Sequence, residues 1–166
     1  LLTHTCGIGH KSLLNSGNNY ENIAEKILEI PSDIPIGTEV RYSCPGFILL
    51  GKILEKIFGK RLDECFCELV AKPLGMKNTS FLPNDRQNAV NSNLDDAKRG
   101  MVNDYNCAFL GGVAGNAGLF SNIEDVTRYV HLLQNKGTPL VSEKTFLDAV
   151  KNYTGDMRES RALGFL

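Results

Sequence analysis

The sequence has no excess of charge of either sign and no long apolar run. Its 166 residues include 18 Lys and Arg against 19 Asp and Glu, which gives a formal net charge of −1 and a pI near 6.3. A chain without a basic balance is not attracted to nucleic acid or to an anionic membrane, so no nucleic-acid partner is expected. No apolar run approaches the roughly 20 residues that a membrane-spanning helix needs, so no transmembrane segment is predicted.

The chain also lacks the cysteine spacing of a disulfide framework or a zinc site. Its five cysteines are odd in number and include no C-x-x-C pair. They are Cys6, Cys44, Cys65, Cys67 and Cys107. Free thiols are therefore expected, which favours a reducing compartment such as the cytoplasm. No group of His, Cys, Asp and Glu has metal-ligand spacing, so neither a metal nor a cofactor is predicted.

Apolar residues recur at helical spacing in several segments, and the 42% hydrophobic composition allows one sizeable core. Five helices are predicted: 20–30, 47–58, 62–71 with Pro73 as its stop, one capped by Ser121 that ends at Gly137, and one from Ser142 to about Tyr153. On the helix after Ser121, the residues predicted to face inward are Val126, Tyr129, Val130 and Leu133. On the last helix, the residues predicted to be buried are Phe146, Leu147 and Val150. Gly59 is placed to end the helix of residues 47–58.

Residues 78–103 are polar without a clear period and predict a long surface excursion. The glycines at 111, 112, 115 and 118 are expected to let the backbone pass close to another segment. Residues 161–166 are expected to start a strand.

Tyr42, Ser43 and Cys44 place a phenol, a hydroxyl and a thiol directly before a predicted helix. The preceding Thr38, Val40 and Tyr42 alternate as in a β-strand, and Pro45 suits the first helical turn because its missing N–H costs nothing there. Catalytic side chains are commonly held at such a strand-to-helix junction, so these three residues are candidate site residues.

The same region carries a family resemblance. In order along the chain stand Leu1-Leu2-Thr3-His4-Thr5-Cys6-Gly7, Pro35-Ile36-Gly37, Tyr42-Ser43-Cys44, Lys72-Pro73-Leu74-Gly75-Met76 and Gly111-Gly112-Val113-Ala114-Gly115-Asn116-Ala117-Gly118-Leu119-Phe120-Ser121. These blocks resemble the serine β-lactamase and penicillin-binding protein superfamily. They are most similar to the branch that holds class C β-lactamases, D-Ala-D-Ala carboxypeptidases and related esterases.

The resemblance assigns roles to particular residues. It implies that Tyr42 is the catalytic proton-transfer residue, which can act as a base only if nearby cations lower its pKa. It implies substrate-binding positions for Ser43, Cys44 and Asn116, although Asn116 equally suits a simple turn. Cys44 departs from the pattern, because the family usually has Asn or Asp there. An alternative is that Cys44, before a helix N-terminus, is itself a nucleophile. His4 is expected to be structural.

Two family motifs are absent from the sequence. No Ser-x-x-Lys occurs, and neither does a Lys-[Ser/Thr]-Gly or His-x-Gly. The resemblance implies that these lie before and after residues 1–166. The expectation is therefore a single partial domain: the central, mostly helical part of an α+β, β-lactamase/DD-peptidase-like fold, lacking most of its sheet.

The implied parent protein is a serine hydrolase that acts through an acyl-enzyme on an amide or ester. Its substrate would be a small molecule or a peptide, such as a β-lactam or a peptidoglycan-type peptide. The fragment alone is expected to be inactive, because loss of one member of a catalytic unit removes most of the rate. The alternative is a non-catalytic binding domain with the same fold. A helical part without its sheet is also expected to expose apolar surface and to self-associate.

Overall fold

The computed structural model describes residues 1–13, 19–83, 85–91 and 98–165. Its α-helices are α1 (Ile23–Leu28), α2 (Cys44–Phe58), α3 (Leu62–Phe66), α4 (Lys72–Leu74), α5 (Tyr105–Phe109), α6 (Ile123–Gln134) and α7 (Glu143–Ala149). A π-helical stretch, Cys67–Ala71, joins α3 to α4, and Arg86–Asn88 is a 3-10 turn. Strands β1 (Ser80–Phe81) and β2 (Leu119–Phe120) pair antiparallel, with Ser80 opposite Phe120. The described part is thus helix-dominated with a two-stranded sheet, as expected.

Helix α2 is the longest of the described helices, and local signals fix both of its ends. Ser43 has an extended backbone, and its hydroxyl accepts a hydrogen bond of 3.0 Å from the N–H of Gly46. Pro45 lies in the first turn, where no intrahelical donor is lost. At the other end Gly59 adopts a left-handed conformation with φ of 65° and closes the helix.

The glycine-rich segment of residues 111–118 crosses α2 at backbone distance. A Cβ placed on Gly115 would lie 2.0 Å from the carbonyl oxygen of Phe47 and 3.0 Å from the nitrogen of Gly51. Only glycine can occupy Gly115, because any side chain would overlap the backbone of α2. The segment that these glycines approach closely is therefore the backbone of α2.

The core forms where α1, α2 and α5 meet this segment. Ile23 and Ile27 of α1 are fully buried against Ile48 of α2. The complete cluster is Leu13, Ile23, Ile27, Ile48, Cys107, Leu110 and Ala114. Apolar burial on this scale is the main stabilising contribution available to the chain.

Two predicted strands are wrong. Residues 38–42 have no β pairing, and the N–H of Arg41 instead donates to the carbonyl of His4 at 2.8 Å. Residues 161–165 of the predicted C-terminal strand are also irregular, and Leu166 lies outside the described residues. There the N–H of Gly164 donates to the carbonyl of Leu2 at 3.1 Å. Both segments make scattered loop hydrogen bonds rather than the regular ladder of a paired strand.

Several predicted helix boundaries also need correction. Helix α1 spans Ile23–Leu28 rather than 20–30, and α2 begins at Cys44 rather than at residue 47. Pro73 does not stop the helix: α4 continues through it to the left-handed Gly75. The π-helical stretch ahead of Pro73 widens the backbone, which relieves the clash between the proline ring and the preceding turn. The cap of α6 is Asn122 rather than Ser121, since its Oδ1 accepts the N–H of Asp125 at 3.0 Å. Helix α7 ends at Ala149 rather than near Tyr153.

The face of α6 that packs inward is not the predicted one. Asp125 and Leu132 are buried, whereas Val126, Tyr129 and Val130 are exposed. Asp125 sets this rotation, because its Oδ2 accepts hydrogen bonds from the Asn78 N–H at 2.7 Å and the Thr79 hydroxyl at 2.9 Å. A buried carboxylate needs such partners. Asp125 therefore determines which side of α6 faces the protein.

The prediction for α7 is wrong in the same way. Leu147 is 47% exposed and Val150 is 40% exposed. The described part of the chain therefore presents apolar side chains of both α6 and α7 to solvent. Within that part, no helix has the length and apolar character required to cross a membrane.

Candidate active site

A cleft of about 350 Å³ opens beside the N-terminal end of α2. Its lining comes from the first residues, the Tyr42 loop, α2, the glycine-rich segment and the last described residues. These lining residues are Leu2, His4, Tyr42, Phe47, Asn116, Arg161, Gly164 and Phe165. Of the predicted site residues, the structure brings Tyr42 and Asn116 together in this cleft. Ser43 and Cys44 lie behind its wall.

Tyr42 is the exposed reactive group of the cleft, with 56% of the residue accessible. Its hydroxyl oxygen lies 3.7 Å from the Cys44 Sγ, at the distance of a weak sulfur hydrogen bond. The contact with Cys44, followed by partial burial and by the negative charge of Asp104, raises the pKa of Tyr42 above its usual value of 10. In the described part of the chain Tyr42 is therefore a neutral phenol at pH 7, which can donate a proton.

Ser43 and Cys44 are buried, with 1% and 2% of each residue exposed. The Ser43 hydroxyl is used to cap α2, as described above. Cys44 is the first residue of the helix, and its thiol faces the Tyr42 hydroxyl. Both side chains therefore hold the start of α2 beside Tyr42, and their predicted contact with substrate stays a prediction.

His4 is buried beneath Tyr42. Its Nδ1 accepts the N–H of Ser43 at 3.0 Å, so the ring proton of the neutral form lies on Nε2. The ring centroid lies 4.9 Å from that of Tyr42 and 4.7 Å from that of Phe47. Burial, with the positive charge of Arg161 as the next cause, lowers the pKa of His4. His4 is thus a neutral residue that positions the backbone of Ser43 and supports the ring of Tyr42.

Asn116 lies in the cleft and is hydrogen-bonded to Asp104, which caps the start of α5. Its Nδ2 donates to the Asp104 Oδ1 at 2.9 Å, and the same oxygen accepts the N–H of Cys107 at 2.8 Å. The Asn116 Oδ1 is buried and has no hydrogen-bond partner within the described ranges. The side chain therefore belongs to the cleft wall as well as to the turn that carries it.

Arg161 is a cleft residue that sequence reasoning missed. Its side chain is 15% exposed, and its Nη2 donates to the Glu159 Oε2 at 2.6 Å. Its Nε is buried and has no partner among the residues that the structure describes. No sequence signal separates Arg161 from other arginines, because its position depends on the fold of the last segment.

Metal binding finds no support in the described ranges, where no three His, Cys, Asp or Glu side chains are grouped to hold an ion.

Comparison with known proteins decides the family. The Beta-lactamase family model matches residues 1–165. The chain belongs to the beta-lactamase family. An N-acetylmuramyl-L-alanine amidase of Bacillus subtilis (strain 168) is 32% identical over 147 residues, which are 74% of this chain and 33% of that protein. The chain thus spans about a third of the length of this curated relative.

Solved structures of the family share the fold. A penicillin binding protein from Bacillus halodurans matches with a TM-score of 0.66 at 17% identity, covering 98% of this chain and 55% of that one. A beta-lactamase/D-alanine carboxypeptidase from Yersinia pestis matches with a TM-score of 0.62 at 18% identity, covering 98% and 50%. The expected β-lactamase-like fold is confirmed.

Proposed function

We propose that the protein carrying this chain is a serine hydrolase that forms an acyl-enzyme on an amide or ester. The observation that supports this most directly is the position of Tyr42, an accessible phenol in a cleft at the start of α2. The similar proteins include a named amidase and a named beta-lactamase/D-alanine carboxypeptidase, which fits amide chemistry. A β-lactam or a peptidoglycan-type peptide would be a suitable substrate.

Tyr42 would carry the proton in this reaction. A serine Oγ attacks the substrate carbonyl and loses its proton, the acyl–oxygen bond forms, and the leaving nitrogen or oxygen takes a proton as its bond to carbon breaks. A protonated phenol holds the proton that the second transfer requires, in which Tyr42 donates to the leaving group. To accept a proton first, Tyr42 needs a cation that lowers its pKa, and the resemblance assigns that cation to a lysine outside residues 1–166.

The 166-residue chain alone would be inactive on this proposal. It has no Ser-x-x-Lys and no Lys-[Ser/Thr]-Gly, so the nucleophile and the third motif must come from the rest of the protein. Residues 1–166 are then a partial domain. Ser43 and Cys44 would act chiefly by fixing Tyr42, and Asn116 by contacting substrate.

A non-catalytic binding domain is the second candidate, and Cys44 favours it. A thiol is a poor donor and acceptor compared with the amide that the family usually has at this position. Its contact with the Tyr42 hydroxyl also raises the Tyr42 pKa, which opposes proton acceptance. A protein that kept the cleft but lost the reaction could tolerate both effects.

Burial argues against Cys44 as the nucleophile. The residue is 2% exposed, whereas Cys67 is exposed. On the serine-hydrolase proposal, iodoacetamide at neutral pH should therefore modify Cys67 faster than Cys44, as read by peptide mass spectrometry. Faster modification of Cys44 than of Cys65 and Cys67 would instead support a cysteine nucleophile.

Covalent labelling of the full-length protein tests the proposal. A fluorescent penicillin and a fluorophosphonate should each add their acyl or phosphonyl mass to one serine upstream of residue 1, and peptide mapping should locate it. No adduct from either probe, in a protein shown to be folded by circular dichroism, would favour the binding domain. An adduct on Cys44 would contradict the assignment of a serine nucleophile.

The isolated 166-residue chain should also self-associate. Ile123, Tyr129, Val130, Leu147 and Val150 of α6 and α7 and their borders are exposed apolar residues. Exposed apolar patches usually bind a partner or lead to self-association. Multi-angle light scattering should show dimers or larger species at tens of micromolar, and a clean monomer would contradict this expectation.

A further inference from the structure

We propose that Asp104 is a positioning residue of the Tyr42 cleft: its carboxylate fixes part of the cleft wall, and its charge favours the neutral, proton-donating form of Tyr42. The inference rests on the proposed function in taking Tyr42 as the proton donor. Asp104 lies outside the blocks of the family resemblance and outside the cleft lining, so it would act through Asn116 and Tyr42 rather than on a substrate.

One oxygen of Asp104 joins two elements. Its Oδ1 accepts the Cys107 N–H at 2.8 Å, which caps α5, and it accepts the Asn116 Nδ2 at 2.9 Å, which belongs to the glycine-rich segment. A second hydrogen bond joins the same elements, because the Cys107 Sγ donates to the Ala117 carbonyl at 3.1 Å. The glycine-rich wall of the cleft is therefore attached to the first turn of α5 at two neighbouring residues.

The same turn of α5 is also bound to the first segment of the chain. Asn106 is 3% exposed, and its Oδ1 accepts the Leu13 N–H at 2.8 Å while its Nδ2 donates to the Lys11 carbonyl at 3.1 Å. That segment follows the loop that carries His4, another lining residue of the cleft. By capping α5, Asp104 therefore supports two of the segments that form the cleft.

The charge of Asp104 is left in place by its hydrogen bonds, because both donors are uncharged. The contact with Cys44 and burial are the larger causes of the raised pKa of Tyr42, and the negative charge of Asp104 adds to them. A carboxylate near a phenol disfavours the phenolate, which would be a second negative charge. Asp104 therefore supports the neutral form of Tyr42, which the donation step requires.

Other titratable groups around Tyr42 do not supply a negative charge. The ring centroids of His4 and His10 lie 4.9 Å and 6.4 Å from that of Tyr42, and imidazoles are neutral at the alkaline pH where phenols ionise. Arg161 lines the same cleft and carries the opposite charge. Asp104 is therefore the carboxylate whose removal should change the ionisation of Tyr42.

Titration of Tyr42 in the full-length protein tests the effect of this charge. Tyrosine isotopically labelled at Cζ reports ionisation by NMR, and Tyr42→Phe assigns the signal. At the pH where wild-type Tyr42 is half ionised, Asp104→Asn should raise the ratio of phenolate to phenol about threefold, the order expected for one charge acting across several ångströms near a surface. An unchanged ratio would overturn the inference.

The same variants test the positioning of Asn116. Asp104→Asn keeps an oxygen that can accept both hydrogen bonds, so the Asn116 side-chain N–H signals should exchange with solvent as in wild type. In Asp104→Ala they should exchange at least about tenfold faster, because a hydrogen bond to a charged group is lost. Exchange at the wild-type rate in Asp104→Ala would contradict the positioning role. Circular dichroism establishes that each variant is folded, and the charge test does not depend on Asp104→Ala.

Asp85 provides a matched control. It also caps a short helical turn, by accepting the Gln87 N–H at 3.1 Å, and it also binds an asparagine Nδ2, that of Asn88. Asp85→Asn should leave the Tyr42 titration as in wild type, and a change equal to that of Asp104→Asn would overturn the inference. The titration needs no acyl-enzyme, so failure of covalent labelling would contradict the proposed function without altering this result.

Discussion

The start of α2 and helix α6 both carry apolar residues at helical spacing, yet most of these residues are buried only in the first. Cys44, Ile48 and Gly51 of α2 are buried, whereas Val126 and Val130 of α6 are exposed. The difference lies in what each helix meets. The glycine-rich segment reaches the backbone of α2, whereas α6 is anchored from its other side through Asp125. Apolar spacing indicates which faces can be buried, and long-range contacts decide which ones are.

Helix α2 shows the same contrast along its own length. Ile53, Leu54 and Ile57, in its second half, are 40%, 42% and 68% exposed. In that half, Glu55 binds neighbouring segments through the Tyr20 hydroxyl and the Leu62 N–H. The Tyr42 cleft therefore lies at the packed N-terminal end of α2, and a functional site needs such a rigid support.

Among these predictions, disruption of the close approach between Gly115 and α2 should have the largest effect on the free energy of unfolding. Gly115→Ala would place a Cβ 2.0 Å from the Phe47 carbonyl oxygen, so one backbone segment must move. We expect a loss of about 3 kcal/mol or more in the free energy of unfolding, measured by urea denaturation of the full-length protein. Gly111→Ala is the control, because its Cβ meets open space and only the left-handed conformation, φ of 85°, costs about 1–2 kcal/mol. Equal losses for both variants would contradict the packing account.

Substitution of Glu55 should have the second-largest effect on the free energy of unfolding, because its carboxylate connects three segments. Its carboxylate accepts hydrogen bonds from the Tyr20 hydroxyl, the Lys52 ammonium and the Leu62 N–H. Burial opposes its charge, but these bonds outweigh burial and lower the pKa of Glu55. Glu55→Gln should cost about 2 kcal/mol in the same denaturation experiment. The exposed Glu124→Gln serves as its control, and a loss no larger than that of the control would contradict this role.

A pH-dependent stability should follow from His4. Its pKa is lowered in the folded state, so the unfolded chain binds more protons between that lowered value and about 6.5. Stability should be full above pH 6.5 and should fall as the pH drops below it. Thermal unfolding at pH 7.5, 6.5 and 5.5 checks this, with a weaker pH dependence in His4→Gln. His131→Gln, at an exposed position, should behave as wild type, and an unchanged pH dependence in His4→Gln would contradict the assignment.

The smallest effect on stability should come from the exposed face of α6. Val130 is 42% exposed, so Val130→Ser in the 166-residue chain should change the free energy of unfolding by about 0.5 kcal/mol or less. Its effect should appear in the apparent mass from light scattering, which should decrease. Leu132→Ser, on the buried face of the same helix, should instead destabilise the chain strongly. Equal destabilisation by the two variants would show that both faces are packed.

The sequence predicted best what local chemistry decides. Pro45 and Gly59 marked the ends of α2, because φ preferences act within a few residues. Glycine spacing also predicted the close approach at Gly115, although not its partner. Tyr42 and Asn116 line one cleft, and the catalytic and substrate-binding roles that the resemblance gives them stay predictions.

What the sequence missed depends on distant contacts. The rotation of α6 follows from Asp125 binding Asn78 and Thr79, more than 45 residues earlier. Arg161 enters the cleft because Thr154 and Tyr153 fix its backbone, a contact without any periodic signal. The predicted strands failed because alternation alone provides no pairing partner.

The acylation rate of the Tyr42→Phe variant of the full-length protein tests the central claim most directly. Loss of the positioned proton donor should slow labelling by a fluorescent penicillin by about 10²–10⁴-fold, the usual contribution of general acid–base catalysis. Tyr105→Phe, at a tyrosine that is 80% exposed and outside the cleft, should label at the wild-type rate. Equal rates for wild type and Tyr42→Phe would contradict the assignment of proton transfer to Tyr42.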